Sequence, residues 1–137
     1  MGLADDLERI SAAAADFAAP NERMSGIVAA APHAGAVVYL CAYESPEGHA
    51  WLALDESAAP VDDRQLVRDA ASLAALCEAV EDLAGVDPPL PRLATQAYLD
   101  ALGAGIGSTL AGAVQSALPA VEELADQVEA HHKVPLT

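Results

Sequence analysis

Val37-Val38-Tyr39-Leu40-Cys41-Ala42-Tyr43-Glu44, then Ser45-Pro46-Glu47-Gly48, then His49-Ala50-Trp51-Leu52-Ala53-Leu54-Asp55 is the stretch on which the reading of this chain turns. β-branched, aromatic and aliphatic residues flank a Pro/Gly-bearing break, the pattern of two strands joined by a tight turn. Pro46 suits the second position of a type I turn and Gly48 the left-handed position after it, which predicts a three-residue hairpin loop. That loop sets Ser45 opposite His49, Tyr43 opposite Trp51, Cys41 opposite Ala53 and Tyr39 opposite Asp55. Side chains alternate along a strand, so Tyr39, Cys41, Tyr43 and Trp51 then share one face, with His49 at its end. Val38, Leu40, Ala42, Ala50, Leu52 and Leu54 make the other face. The chain holds only three tyrosines, one tryptophan and one phenylalanine, so the ring-bearing face is the expected working surface.

Before the hairpin, residues 1–19 form an N-terminal helical block. Leu3, Leu7, Ile10, Ala14 and Phe17 recur in steps of four and three over about 3–18, while Asp5, Asp6, Glu8 and Arg9 face away. Pro20-Asn21 ends it. Asn21 can cap a short helix over 22–30, although Ile27-Val28-Ala29-Ala30 reads equally as a first strand.

After the hairpin (35–57), the span 62–85 reads as a helix. Asp62 with Gln65 makes a capping-box-like start, Leu66, Ala70, Leu73, Cys77, Val80 and Ala84 supply the apolar stripe, and Gly85 stops it. Asp87-Pro88-Pro89-Leu90-Pro91 is a stiff connector. Pro91 occupies a first-helical position, so 91–132 reads as C-terminal helices through Leu93, Ala97, Tyr98 and Leu102, with a last helix from Pro119. The uncharged run 101–121 has the length of a membrane span, but Gly103, Gly105, Gly107, Gly112 and Pro119 interrupt it and acids flank it. A buried central helix, in one piece or two, is the better reading.

A two-stranded hairpin is marginal alone, so its aliphatic face is expected on the helices. The predicted fold is α+β: a mostly helical single domain, 1–137, with one antiparallel β-hairpin, and room for a third strand, packed on four or five helices. The outer hairpin edge could pair with a second copy to give a four-stranded sheet.

Charge narrows the function classes. Twenty-one acids against six bases give a net charge of −15, with Lys133 the only lysine. Nucleic acid and anionic membrane both need a basic surface, so neither is an expected partner. A basic protein fits the sign. The amino terminus is acidic where a secretory leader would be basic, which places the chain in the cytoplasm. There Cys41 and Cys77, without CxxC spacing, read as buried thiols.

No chemical constellation is sharp. Gly103-Ala104-Gly105-Ile106-Gly107-Ser108-Thr109 lacks both the preceding strand and the G-x-G-x-x-G spacing of a dinucleotide loop, and lacks a Walker lysine. Its small residues, one turn apart, read instead as a surface for close helix approach. His33, His49, Cys41, Cys77 and His131-His132 show no metal-ligand spacing, so no metal or cofactor is expected. Cys41 and His49 have no third orienting group. Arg64 and Arg68, one turn apart, could clamp an anion but are more simply partners for the surrounding acids.

The expectation is a non-enzymatic interaction or regulatory domain that self-associates as a homodimer through Tyr39, Cys41, Tyr43 and Trp51. Two alternatives stand beside it. One is a small-molecule binder or enzyme with a pocket between the hairpin and the Gly-rich helix, with Cys41, His49 and Arg68 as its polar groups. The other is an acidic decoy for a basic partner.

Overall fold

A computed structural model describes residues 3–33, 35–88, 92–106 and 110–137. In chain order the elements are α1 (Leu3–Asp16), β1 (Arg23–His33), β2 (Ala36–Ser45), β3 (Gly48–Leu54), α2 (Arg64–Ala84), β4 (Arg92–Leu93), α3 (Gln96–Ile106) and α4 (Leu110–Ala130). The strands order β3-β2-β1-β4, with β1–β2 and β2–β3 antiparallel and β4 parallel to β1. The α+β class is as expected, and the sheet gains two strands beyond the hairpin.

Helices cover both faces. On one, Ile10 and Ala14 of α1 pack on Tyr39, Cys41, Tyr43, Leu52 and Leu54. On the other, Val67, Ala70 and Ala71 of α2 and Ala125 and Val128 of α4 pack on Ala31, Val38, Leu40 and Ala53. A third cluster joins Ala29 and Ala94 to Cys77 and Val80 of α2 and Leu99 and Leu102 of α3, at the β1–β4 side.

Of the two readings for 22–30 the strand holds, running from Arg23 to His33, and the short helix does not form. In β1, Ala29, Ala30 and Ala31 are all buried, on alternating faces. A strand covered on both sides shows no polar alternation. Register shifts at Met24/Gly26 and Ile27/Ala29 disturb the period further, Gly26 taking φ 151° at the first.

The hairpin is where expected, but its register differs by one residue. Ser45 pairs with Gly48, Glu44 with His49, Ala42 with Trp51, Cys41 with Leu52 and Tyr39 with Leu54. Ser45 closes the shorter loop: its hydroxyl accepts from Glu47 N (3.3 Å) and donates to the Gly48 carbonyl (3.3 Å). Gly48 joins the ladder at φ 130°, which favours glycine. A one-residue slip moves a whole strand's side chains to the opposite face. Trp51 therefore points away from Tyr39, Cys41 and Tyr43, and the predicted aromatic face does not exist.

Helix boundaries follow local chemistry. Asp63, one residue later than Asp62, caps α2 by accepting from Leu66 N (3.1 Å), and Gly85 ends it in the left-handed region. Pro91 lies outside the described residues. Leu93 behind it is strand, and α3 starts at Gln96 with Thr95 Oγ1 accepting from Tyr98 N (2.9 Å). The Gly-rich run holds two helices, with 107–109 outside the described residues. A Cβ on Gly103 would run into the Leu110 side chain at the start of α4, whereas one on Gly105 or Gly112 would meet nothing. Pro119 lies inside α4 and does not start a helix.

Candidate functional site

The residues singled out in the sequence fall in four separate places. Tyr39, Cys41 and Tyr43 are buried beneath α1, at 2%, 0% and 0% exposure. Tyr43 Oη donates to the Ala14 carbonyl at 2.6 Å. Burial pushes the Cys41 thiol up to about 12 and raises the Tyr43 hydroxyl strongly. Both groups are neutral and closed to solvent. His49 follows Trp51 on the other face, so the Cys41–His49 pairing is not formed. Arg64 and Arg68 serve as ties from α2 to α4: Arg68 Nη1 lies 2.8 Å from Asp126 Oδ1, and Arg64 Nε 3.6 Å from Glu129 Oε1. Gly103 and Gly105 sit on α3, which packs on α2 at the β1–β4 side, remote in strand order from β3. The expected pocket between hairpin and Gly-rich helix is thus not assembled.

Concavity instead occurs between the hairpin tip and α4. A cleft of about 260 Å³ is lined by Glu47, Gly48, His49, Trp51, Gln127 and His131. A second, wide and open depression of about 540 Å³ lies along α4, lined by Pro119, Glu122, Glu123, Asp126 and Ala130, and shares Gln127 and His131 with the cleft. The His49 and Trp51 rings lie 6.1 Å apart, tilted by 37°. Cleft and depression together present a half-buried indole, two imidazoles and four carboxylates. The register slip is what brings Trp51 to the cleft.

The segment after α4 closes the outer edge of β3. Trp51 N donates to the His131 carbonyl (3.2 Å), and Lys133 N donates to the Trp51 carbonyl (2.9 Å). Ala53 N donates to His132 Nε2 (3.0 Å), while its carbonyl accepts from Val61 N (2.8 Å). The imidazole therefore stands where the carbonyl of a continuing strand would. Nε2 must be the unprotonated nitrogen, so Nδ1 carries the hydrogen and donates to the Val134 carbonyl at 2.9 Å. Burial holds His132 below its ordinary value, outweighing the Val134 bond. Lys133 forms an ion pair with Glu22 and lies 4.7 Å from the centre of the Tyr43 ring. Burial works to raise Glu22, but Lys133 and the Ala19 amide more than offset it and hold the carboxyl below its usual range. The hairpin edge expected to pair with a second copy is occupied by this strap.

Sequence reading missed one buried ionic cluster. Glu81 (1% exposed) and Arg92 (6%) meet with Nη2 2.9 Å from Oε1 and Nε 3.2 Å from Oε2. The Oε1 contact is an ion pair without hydrogen-bond alignment. Tyr98 Oη donates to Glu81 Oε2, and Arg92 Nη1 donates to the Val28 carbonyl (3.3 Å). Burial and the neighbouring carboxylate push Tyr98 up to about 12. Burial, then Glu81, moves the nearby Cys77 thiol to about 11, with Arg92 opposing. The sequence carried a signal: Glu81 follows Cys77 by four on an otherwise apolar stripe. The cluster fastens β4 to α2 and α3.

Among the described residues, no three His, Cys, Asp or Glu side chains are arranged to hold a metal. No described helix is long and apolar enough to cross a membrane. Comparison finds no matching family model, no similar curated protein and no similar solved structure.

Proposed function

We propose that this protein is a non-enzymatic, cytoplasmic interaction domain that receives a cationic, extended segment of a partner in the groove between the hairpin tip and α4. The observation that carries the reading is a cleft holding a half-buried indole and Glu47, next to a depression lined by Glu122, Glu123 and Asp126 that shares Gln127 and His131 with it. The indole face suits the aliphatic stems and charged heads of Lys and Arg, and aromatic anchors dominate binding energy where they are enclosed. The net charge of −15 draws such a segment from a distance. Two buried free thiols fit a reducing compartment. Self-association through Tyr39 and Tyr43 loses its support, because α1 already covers both rings.

Trp51 is the only tryptophan, so its emission reports the groove. Titration with a short Lys/Arg-rich peptide at low salt is expected to shift that emission with saturation. Affinity should fall as salt shortens the reach of the acidic field from about 30 Å at 0.01 M to about 8 Å at 0.15 M. Glu122→Gln with Glu123→Gln should weaken binding several-fold while leaving the fold intact. Unchanged emission with every cationic peptide, or binding indifferent to the double substitution, would overturn the reading.

A further inference from the structure

We infer that the segment 131–137 is a pH-released strap, latched by His132, that covers the Trp51–Ala53 edge of β3 and opens when the imidazole is protonated. The proposal rests on the groove above only for what opening exposes. Release of the strap itself is read without any partner.

β3 turns the polar groups of Trp51 and Ala53 outward, and the backbone of the strap satisfies only those of Trp51. The next outward amide, Ala53 N–H, depends on the imidazole Nε2. Proton uptake at Nε2 converts that acceptor into a donor facing a donor. It leaves a buried amide without a partner and a positive charge in a half-buried site. The open state returns both to water. A carbonyl at this position would never change, so the use of imidazole makes this edge sensitive to acid in the range where histidine titrates.

The surrounding groups leave the response to histidine. On β2, Cys41 and Tyr43 are raised by burial and stay neutral at and below neutral pH. From the turn after α1, Glu22 is held low and stays paired with Lys133 of the strap. Asp55, beyond the end of β3, is likewise low because Ser57 and the Ala59 amide bond its carboxylate. His131 and His49 line the groove, where neither serves as the acceptor of an edge amide in the described contacts. The Lys133–Glu22 pair and the bonds of Thr137 to Asp62 and Arg64 anchor the strap on either side independently of His132, and His132 sets the pH at which its contact with the Trp51–Ala53 edge yields. Opening frees the Trp51 backbone and widens access to the indole, so the edge becomes a place where an extended peptide can add as a strand.

The test is amide hydrogen exchange on the full chain, corrected for intrinsic rates, between about pH 7.5 and about pH 5, spanning the ordinary imidazole value of about 6.5. Protection at Trp51, Ala53 and Lys133 is expected to fall by up to about tenfold per pH unit, the slope for one proton taken up on opening. Protection along β1–β2 should persist. His132→Gln keeps a side-chain acceptor that does not titrate, and should make the edge flat with pH. His131→Gln and His49→Gln should leave the acid response in place. If His132→Gln fails to fold, the imidazole titration of His132 in the native chain replaces it, and its midpoint must coincide with loss of the edge amides. Flat protection in the native chain, an equal acid response in His132→Gln, or simultaneous loss throughout the sheet would each overturn the proposal. If opening occurs but cationic peptide binds at neither pH, the docking reading fails and the latch stands. If peptide binds equally at both pH values while the edge stays protected, the latch fails and the docking reading stands.

Discussion

Tyr43 lies under α1 with its ring beneath Lys133 and its hydroxyl on the Ala14 carbonyl. Ala14 O also accepts from Phe17 N, so Tyr43→Phe leaves that acceptor one partner. The expected loss is about 1 kcal/mol by urea denaturation, against about 3–5 kcal/mol for Tyr43→Ala, which also leaves a cavity. Glu81 and Arg92 obey a different rule. Removing one member of a buried ion pair strands the other charge, so Arg92→Met alone should cost about 3–5 kcal/mol. Adding Glu81→Leu should return part of that loss, because no charge is then stranded, while the Tyr98 hydroxyl and the Val28 carbonyl still lose these partners. A double substitution no better than the single one would show that the pair is net stabilising and not merely mutually dependent.

At the scale of elements, Gly103 of α3 lies against the Leu110 side chain at the start of α4, with no room for a Cβ. Gly103→Ala should lower stability by about 1–3 kcal/mol through overpacking, and Leu110→Val should recover part of it, read as a shift in thermal midpoint. Elements were legible in the sequence where one strong local signal governs them. The α1 stripe, the hairpin reversal at Pro46 and the Gly85 stop of α2 are of that kind. β1 was ambiguous because its centre is alanine buried on both faces, where neither periodicity nor propensity separates strand from helix. β4 escaped notice because two residues carry no period at all. The register of the hairpin depended on whether Gly48 belongs to the loop or the ladder, and a single position reversed the placing of Trp51. The candidate site divides the same way: its indole stands out in the sequence, but its neighbours Gln127, His131, Glu122 and Glu123 come from a helix that meets the hairpin only in three dimensions.

For the molecule as a whole, the shifted groups predict the shape of the stability curve with pH. Glu22, Asp55 and His132 all have folded values below their ordinary ones. For each, the unfolded chain binds the proton first, so stability is full above the unfolded value and is lost as pH falls through the folded one. Two descending steps are expected in thermal midpoint: one below about pH 6.5 from His132, and one below about pH 4 from the carboxylates. Self-repulsion at −15 weakens towards the isoelectric point near 4.2 and opposes both, so the steps should sharpen in high salt. His132→Gln should erase the first step alone. At the alkaline end the buried thiols and Tyr98 are raised, so stability should decline once pH passes the unfolded thiol value of about 8.5 and then the tyrosine value of about 10.

The two cysteines occupy separate layers: Cys41 beneath α1, Cys77 in the cluster of α2 and α3 across the sheet. Each is fully enclosed and neutral at ordinary pH. A thiol-specific reagent can then modify either only when its own layer parts. Comparing the two labelling rates in one sample therefore reports, with no residue introduced for the purpose, whether the halves of this protein come apart together or in sequence.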